Sequence, residues 1–369
     1  MLNLIFEIRN FGSLNILSDK TGITLDRLKS LSDELSEATM LEVQKLSSVL
    51  KMSVEFLTSE NEKYENLNFL FRKSFHDKRG DALANRFSHL VGNSFEIMEE
   101  QHIDYSLLRS MMGARENSYE NAFRLANQFR YIMGDEKGLS PLVNLPQIVT
   151  EKLNCILYVT DLGKDIDGAS AVVEGIPFIF LSPRFKPRML FTLAHELGHI
   201  LNHHSLESDF ALYDSNLNAM SRTTNLDESF ANAFASNLLL PETGVGVALK
   251  KIGDIFKIKN EHLGDIEILY LSRIYGVSFE VAAMRCEDLT LLPQGGAKSL
   301  YNHIKVNHHN PEQRAKQLNL PERPQINFPQ VSPNLTKLAI EKIRKGTISL
   351  GKASEILSIP ISHIMNQNL

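Results

Sequence analysis

The sequence has few of the features expected of a secreted or membrane protein. It has only two cysteines in 369 residues, too few for a disulfide framework and typical of a reducing compartment. No run of about 18 apolar residues predicts a membrane span. The apolar N-terminus lacks the basic region and the small-residue cleavage site of a signal peptide. These absences favour a cytoplasmic protein, in which Cys155 and Cys286 are expected to be core thiols.

Neither positive nor negative charge is in large excess over the whole chain, but the charged residues are unevenly distributed along it. The formal net charge is -5, with 43% hydrophobic and 22% charged residues, an ordinary globular composition. Residues 1–60 carry six Lys or Arg and nine Asp or Glu, whereas residues 300–369 carry nine and four. The length permits two or three domains, and the two ends of the chain favour different partners.

Residues 191–201 contain the pattern His-Glu-x-x-His. On a helix, His195 and His199 share one face, so their imidazoles can bind adjacent corners of a tetrahedral zinc ion. Glu196 is then placed to act as general base on a zinc-bound water. Pro187 suits the first turn of this helix, and apolar residues at helical spacing predict that the helix is buried. The pattern therefore predicts a zinc hydrolase.

The third ligand is the sharper test, because two such histidines also occur on ordinary helices. A metzincin continuation is excluded, since Asn202 stands at its glycine position and Ser205 at its last histidine position. Residues 227–241 instead predict a second helix, which Asp227 would cap and on which Glu228 is the candidate ligand. The face of Glu228 carries small residues, which permits close approach of the two helices. These residues are Ala231, Asn232 and Ala235.

Asn232 lies four residues after Glu228, where zincins with a glutamate ligand often carry an aspartate that holds a zinc-binding imidazole. The Asn232 carbonyl can accept the same hydrogen bond, but a neutral amide raises the basicity of the ligand less. We therefore expect Asn232 to support a ligand from outside the coordination sphere. His203, four residues after His199, is expected at the surface or in a similar supporting place rather than on the metal.

The two segments together resemble the ImmA/IrrE family of zinc metallopeptidases. The runs FTLAHELGHILNH and ExxANxFAxxLLLP carry the resemblance, which extends over roughly residues 120–290. It implies a zincin-like, gluzincin-type domain with a small mixed sheet, zinc held by His195, His199 and Glu228, and Glu196 as the catalytic base. It also implies a bacterial or mobile-element peptidase that cleaves a helix-turn-helix repressor or antitoxin and so derepresses stress, phage or mobile-element genes.

Residues 169–181 predict a β-hairpin with its turn at Glu174-Gly175. The simplest role of this hairpin is in the core of a sheet. A second hypothesis is that it offers an edge strand, which would position an extended peptide substrate through backbone hydrogen bonds.

Residues 14–57 resemble a helix-turn-helix of the Cro/xenobiotic-response-element repressor type. Gly22 fits the tight turn, and Thr24 is expected to cap the next helix. Leu25 and Asp26, however, stand where polar base-reading side chains are expected, and the domain is acidic. The open alternatives are DNA binding, dimerisation, and contact with the repressor that is cleaved.

Five prolines between residues 306 and 334 favour an extended linker. Residues 338–360 then have the pattern of a small helix-turn-helix, in which Gly346 ends one helix and Ser349 begins the next. Two interpretations stay open for this segment. Its basic charge favours contact with nucleic acid, and its apolar residues equally suit a helical lid packed on the peptidase domain.

The predicted fold class is α+β. The expected parts are an N-terminal all-α helix-turn-helix domain (1–60), a helical connector (61–120), the zinc peptidase domain (121–290), a linker (291–334) and a small C-terminal helical segment (335–369). The predicted function is zinc-dependent cleavage of a helix-turn-helix repressor or antitoxin-like partner. DNA is a further expected partner through either helical end, a homodimer is compatible with the sequence, and no membrane contact is expected.

The alternative function is a DNA-binding transcriptional regulator in which the zinc-peptidase fold is a sensor or scaffold with little turnover. The intact Glu196 favours the enzyme, because a scaffold needs no general base.

Overall fold

A computed structural model of the chain describes residues 4–5, 7–8, 11, 13–50, 54–58, 78–99, 101–113, 116–215, 225–256 and 263–366. The chain divides into two compact units. The first unit comprises Met1–His102 with Pro333–Leu369, and the second comprises Ile103–Ser332. Within the described ranges, no helix combines the length and the apolar character needed to cross a membrane.

The regular elements described in the N-terminal part of the first unit are all helices. Gly22 turns the chain between the first two helices at φ +66, a left-handed conformation that glycine adopts without steric cost, as the sequence predicts. Thr24 precedes the second helix in extended conformation, but its side chain makes no capping hydrogen bond, contrary to expectation. The helices are α1 (Leu14–Thr21), α2 (Leu25–Ser32), α3 (Met40–Leu50), α4 (Val54–Thr58) and α5 (Lys78–Met98).

The predicted connector at 61–120 does not form one element. Residues 59–77 lie outside the described residues. Helix α5 belongs to the first unit, whereas α6 (Ser106–Met111) and the start of α7 (Tyr119–Ile132) belong to the second.

The second unit contains a four-stranded mixed sheet in the order β1-β3-β2-β4. Strand β1 runs parallel to β3, and the other two pairs are antiparallel. Glu174 and Gly175 have φ +49 and +76, so two left-handed residues close the predicted β2–β3 hairpin, as tight hairpin turns require. The strands are β1 (Ile156–Val159), β2 (Ile166–Val173), β3 (Ile176–Leu181) and β4 (Phe210–Ser215).

The hairpin is interior to the sheet, so the hypothesis that it supplies an edge strand is wrong. Strand β2 pairs with β3 and β4, and β3 pairs with β1 and β2. The outer side of β1 is covered, because the Val159 amide donates to the Gln330 carbonyl and the Ser332 amide to the Leu157 carbonyl, both at 2.9 Å. Among the described residues, strand β4 therefore supplies the other edge.

One helix of the second unit is enclosed on all sides. Every residue of α9 (Lys186–Asn202) from Met189 onward is buried, because the helix packs against β2 and β3 on one side and α10 (Leu226–Leu239) on the other. Helix α10 in turn packs on α7. Helix α8 (Leu145–Gln147) precedes the sheet and is continued by a π-helical turn over Ile148–Lys152. Three helices follow α10, namely α11 (Glu242–Phe256), α12 (Asp265–Tyr275) and α13 (Phe279–Asp288).

The prediction of a linker at 291–334 is wrong for much of that segment. It contains α14 (Gly296–His308) and α15 (Pro311–Gln317), which belong to the second unit. Pro311 stands in the first turn of α15, where a missing backbone N–H is tolerated. Arg314 Nε donates to Asp265 Oδ2 at 2.7 Å and ties α15 to α12. Pro311 thus begins a helix that is packed into the second unit, and it does not mark an extended linker.

The last three helices group with the first unit, where α16 (Pro333–Arg344) and α17 (Leu350–Leu357) pack on α5; α18 (Ile361–Met365) follows. As predicted, Gly346 turns the chain at φ +71. Ser349 caps α17 by accepting a hydrogen bond from the Lys352 amide at 3.0 Å.

Candidate metal centre

Two imidazoles converge on the buried helix α9. His195 and His199 are both fully buried, and their Nε2 atoms lie 2.9 Å apart. This convergence follows from the four-residue spacing, which places both side chains on one face. Pro187 lies in the first turn of the helix, as predicted.

Glycine allows the second helix to come close. A Cβ atom added at Gly198 would lie 2.9 Å from Phe234 Cδ1 and 3.4 Å from Ala231 Cα. The backbones of α9 and α10 therefore approach closely at this point, as the small residues Ala231 and Ala235 predict. The close approach brings the first turn of α10 within reach of the two imidazoles.

The carboxylate of Glu228 completes the group. Its Oε2 atom lies 3.3 Å from His195 Nε2 and its Oε1 atom 3.5 Å from His199 Nε2. The cap of α10 is Asn225, which accepts from the Asp227 amide at 2.9 Å, and not Asp227 as predicted. Over the described ranges of the chain, these three side chains form the one group arranged to bind a single metal ion.

The donor set fits zinc. Zn–N bonds of about 2.0–2.1 Å and a Zn–O bond of about 2.0–2.2 Å at tetrahedral angles separate the ligand atoms by about 3.3–3.5 Å. The separations found here run from 2.9 to 3.5 Å. Glu228 keeps 24% of its side chain exposed, so the centre is open to solvent on the side of this carboxylate.

Asn232 lies where the sequence predicts a supporting residue. Its Oδ1 atom is 3.1 Å from Nδ1 of His195. An amide oxygen only accepts, so Nδ1 of His195 carries the proton and Nε2 is left with its lone pair toward the metal position.

His199 is supported by a second imidazole. Its Nδ1 atom lies 2.8 Å from Nδ1 of the buried His203, whose Nε2 atom lies 2.7 Å from Oδ1 of Asn117. Because the Asn117 oxygen accepts, His203 Nε2 donates, His203 Nδ1 accepts, and His199 Nδ1 donates. This order again leaves His199 Nε2 free of a proton. His203 is thus a buried support of the site, one of the two places expected for it.

Asn117 is itself fixed from several sides. Its oxygen also accepts from Asn202 Nδ2 at 2.9 Å, and its amide nitrogen donates to Asp227 Oδ1. Asn121 Nδ2 in turn donates to Asn202 Oδ1 at 3.1 Å. The chain of bonds joins His199 to the residue next to Glu228. The sequence does not indicate Asn117, because it lies in an irregular segment far from the histidines along the chain.

Burial keeps the imidazole of His199 neutral. Desolvation, followed by the neighbouring His195, lowers the pKa of His199 well below its usual value, although Glu228 acts in the opposite direction. A neutral imidazole is the form that binds a metal ion.

Glu196 is completely buried against strand β2. A Cβ atom added at Gly168 would lie 2.6 Å from Glu196 Oε1 and 2.5 Å from Thr192 Cγ2. Only glycine at this position therefore leaves room for the carboxylate. The sequence contains a hint of this contact, since an isolated glycine within a strand often marks a close approach or a bulge, and β2 has a register shift between Ile166 and Gly168.

Asp167, beside that glycine, fastens the strand to the start of α9. Its buried carboxylate accepts from Arg184 Nε at 3.2 Å and from Arg188 Nε at 3.0 Å. A buried carboxylate needs such partners, and two guanidinium groups supply them. The contact fixes the backbone of β2 at Gly168. This backbone forms the wall of the site against which the Glu196 carboxylate packs.

Comparison with known proteins supports the resemblance for this part of the chain. Residues 151–287 are similar to the family model described as the IrrE N-terminal-like domain, a peptidase family. The matched segment contains His195, Glu196, His199 and Glu228, and the similarity agrees with a metallopeptidase-like function. No curated protein matches the chain.

Proposed function

We propose that this protein is a zinc-dependent endopeptidase, with His195, His199 and Glu228 as zinc ligands and Glu196 as general base. The observation that carries the proposal is the approach of Glu228 to 3.3 and 3.5 Å from the two Nε2 atoms. A buried carboxylate on the same helix as the imidazoles adds to it, as does the similarity of residues 151–287 to a peptidase family.

When bound, zinc supplies Lewis acidity that activates a water molecule and polarises a peptide carbonyl. Glu196 accepts the proton of the attacking water and passes it to the amine nitrogen of the departing peptide. The wall at Gly168 holds the Glu196 carboxylate in place for both transfers. Asn232 and His203 hold the imidazole rings in the orientation that keeps Nε2 unprotonated.

An extended substrate adds to the outer edge of β4 in this proposal. Gly168, which touches Glu196, pairs with Asp214 on β4, so that edge lies one strand away from the base. Within the described residues, no strand pairs with the far side of β4. Backbone hydrogen bonds along this edge would hold a peptide without selecting its side chains.

The proposed substrate is a helix-turn-helix transcriptional repressor or an antitoxin-like partner in the cytoplasm, whose cleavage derepresses stress, phage or mobile-element genes. Support for this choice comes from the resemblance to the ImmA/IrrE family. The alternative is a DNA-binding regulator in which this fold senses or scaffolds with little turnover, and the basic composition of residues 333–369 favours it.

Two glutamate variants test the enzyme proposal. Glu228→Gln is expected to lose both zinc and cleavage, whereas Glu196→Gln is expected to keep zinc and lose cleavage of a repressor encoded beside the gene. Glu151→Gln, at an exposed position in the turn after α8, is the matched control and should keep both. Zinc content is measured by elemental analysis and cleavage by intact-mass spectrometry. Cleavage by Glu196→Gln at the wild-type rate would refute the assignment.

A further inference from the structure

The two ends of the chain contain the same helix-turn-helix geometry. In the N-terminal copy, Ser18 Oγ donates to the Ile23 carbonyl at 2.6 Å, and in the C-terminal copy Ser354 Oγ donates to the Ile359 carbonyl, also at 2.6 Å. Each serine lies on the first helix, and each isoleucine lies in the turn that follows it. The C-terminal copy therefore consists of α17 and α18, one helix later than the turn predicted at Gly346.

The backbone of the two turns agrees as well. Gly22 and Ser358 end the first helices in left-handed conformation, at φ +66 and +54. Two residues later, Thr24 has φ -62 and ψ 148, and Pro360 has φ -60 and ψ 144. A non-glycine residue at positive φ is uncommon, so Ser358 indicates that packing holds this turn in place.

Side-chain burial follows the same pattern in both copies. Each has a buried residue on the first helix, a buried isoleucine in the turn, and a buried aliphatic residue on the second helix. The pairs are Leu17 and Ala353, Ile23 and Ile359, and Leu28 and Ile364. In both copies the second helix contacts the first, and the buried residues occupy equivalent positions.

We propose that the C-terminal copy, residues 350–366, binds duplex DNA with α18 as its base-reading helix, and that the N-terminal copy does not. The second helix of a helix-turn-helix enters the major groove with its first residues against the base edges. In α18 and just after it, the exposed residues include Ser362, His363 and Asn366, which offer donors and acceptors without an acidic group.

At the equivalent positions, the N-terminal copy carries an acidic residue and an arginine whose charge is already paired. Asp26, exposed, stands at the position of Ser362 and would repel phosphate. Arg27, at the position of His363, forms a bidentate ion pair with Glu42. Its Nε donates to Glu42 Oε1 at 2.7 Å and its Nη2 donates to Glu42 Oε2 at 2.9 Å. That guanidinium also donates to Ser36 Oγ at 2.6 Å, so its hydrogen bonds are used within the domain.

The segments that flank the two copies differ in charge and in exposed apolar surface. Residues 333–369 carry five Lys or Arg and two Asp or Glu, the reverse of the acidic residues 1–60, and phosphate neutralisation drives DNA binding. Lys337, Arg344 and Lys345 are exposed on and after α16. After α2, in contrast, Leu35 is 78% and Leu41 63% exposed, and neither side chain can bind phosphate.

A matched pair of substitutions tests the assignment on the full chain. Ser362→Asp gives the C-terminal copy the carboxylate of the N-terminal one, and Asp26→Ser makes the reverse change. Binding to a fluorescent duplex of random sequence is measured by anisotropy at salt concentrations between about 50 and 200 mM. Ser362→Asp is expected to weaken binding by about tenfold or more, and Asp26→Ser is expected to leave the dissociation constant unchanged.

Both positions are exposed, so circular dichroism melts should show that both variants stay folded. The proposal is overturned if the wild-type chain binds no duplex at low salt. It is also overturned if Ser362→Asp binds as wild type does, or if single-stranded RNA displaces the duplex at equal concentration. Glu196→Gln is expected to bind DNA normally, which keeps this outcome separate from that of the peptidase assay.

Discussion

Nδ1 of His199 lies 2.8 Å from Nδ1 of His203, so a candidate zinc ligand is held by a second imidazole and not by a carboxylate. The other histidine ligand is held by the amide of Asn232. Both supports are neutral, so they orient the rings while adding less to ligand basicity than carboxylates would. Orientation is therefore the main contribution expected of His203.

Replacing His203 by alanine should weaken zinc binding by about 10- to 100-fold, because the ring of His199 loses the partner that fixes its tautomer. Competition with a chromophoric chelator measures the dissociation constant. His204→Ala is the control, since His204 is also buried and its Nε2 atom lies 3.3 Å from Ser170 Oγ. Equal zinc affinity of the His203 and His204 variants would contradict the support role.

Gly168→Ala should lower the rate of peptide cleavage by about 100-fold while zinc stays bound, because a shift of the base by about 1 Å costs that much. The added methyl would lie 2.6 Å from Glu196 Oε1. Zinc content and kcat are measured on the same preparation. Gly246→Ala, where a Cβ meets nothing within 4 Å, should cleave at the wild-type rate. Loss of zinc from Gly168→Ala would mean that the wall positions the ligands instead.

Gly198→Ala should lower the free energy of unfolding by about 1–3 kcal/mol, because the methyl overpacks the contact between α9 and α10. The nearest atom, Phe234 Cδ1, lies 2.9 Å from the added Cβ position. Urea denaturation of the metal-free chain gives the value. Gly253→Ala on α11 meets no atom within 4 Å and should stabilise its helix by about 0.5–1 kcal/mol. Equal midpoints for the two variants would disprove the tight contact.

The first unit should lose stability in acid through His89. Burial, with Lys352 and Arg86 nearby, lowers the pKa of His89 to about 4. An unfolded histidine binds its proton below pH about 6.5 and the folded one only near pH 4, so stability is complete above pH 6.5 and falls by about 3 kcal/mol toward pH 4.

Denaturant titrations of wild type and His89→Leu over this pH range test the His89 prediction. The difference in unfolding free energy between the two proteins should change with pH by the stated amount. His303→Leu, at an exposed histidine, should follow the wild-type curve. A pH-independent difference for His89→Leu would show that His89 is not the titrating group.

The sequence by itself determined the local features of this protein. The spacing of His195 and His199 on a helix, the left-handed turn at Glu174-Gly175, and the helix boundary at Gly346 each depend on residues within a few positions of one another. Small residues facing the first helix also indicated a close helix pair, and with it the approach of Glu228. Each of these is a consequence of backbone periodicity or conformational preference.

Only the tertiary structure decided which distant residues complete the site. Asn117 reaches His203 across the fold, Gly168 makes room for Glu196, and β4 rather than the hairpin forms the edge strand. The prolines of 291–334 were misleading for a related reason, since ion pairs such as Arg314 with Asp265 hold that segment in place. Contacts of this kind depend on how whole elements pack, and packing between elements far apart along the chain leaves no periodic pattern in the sequence.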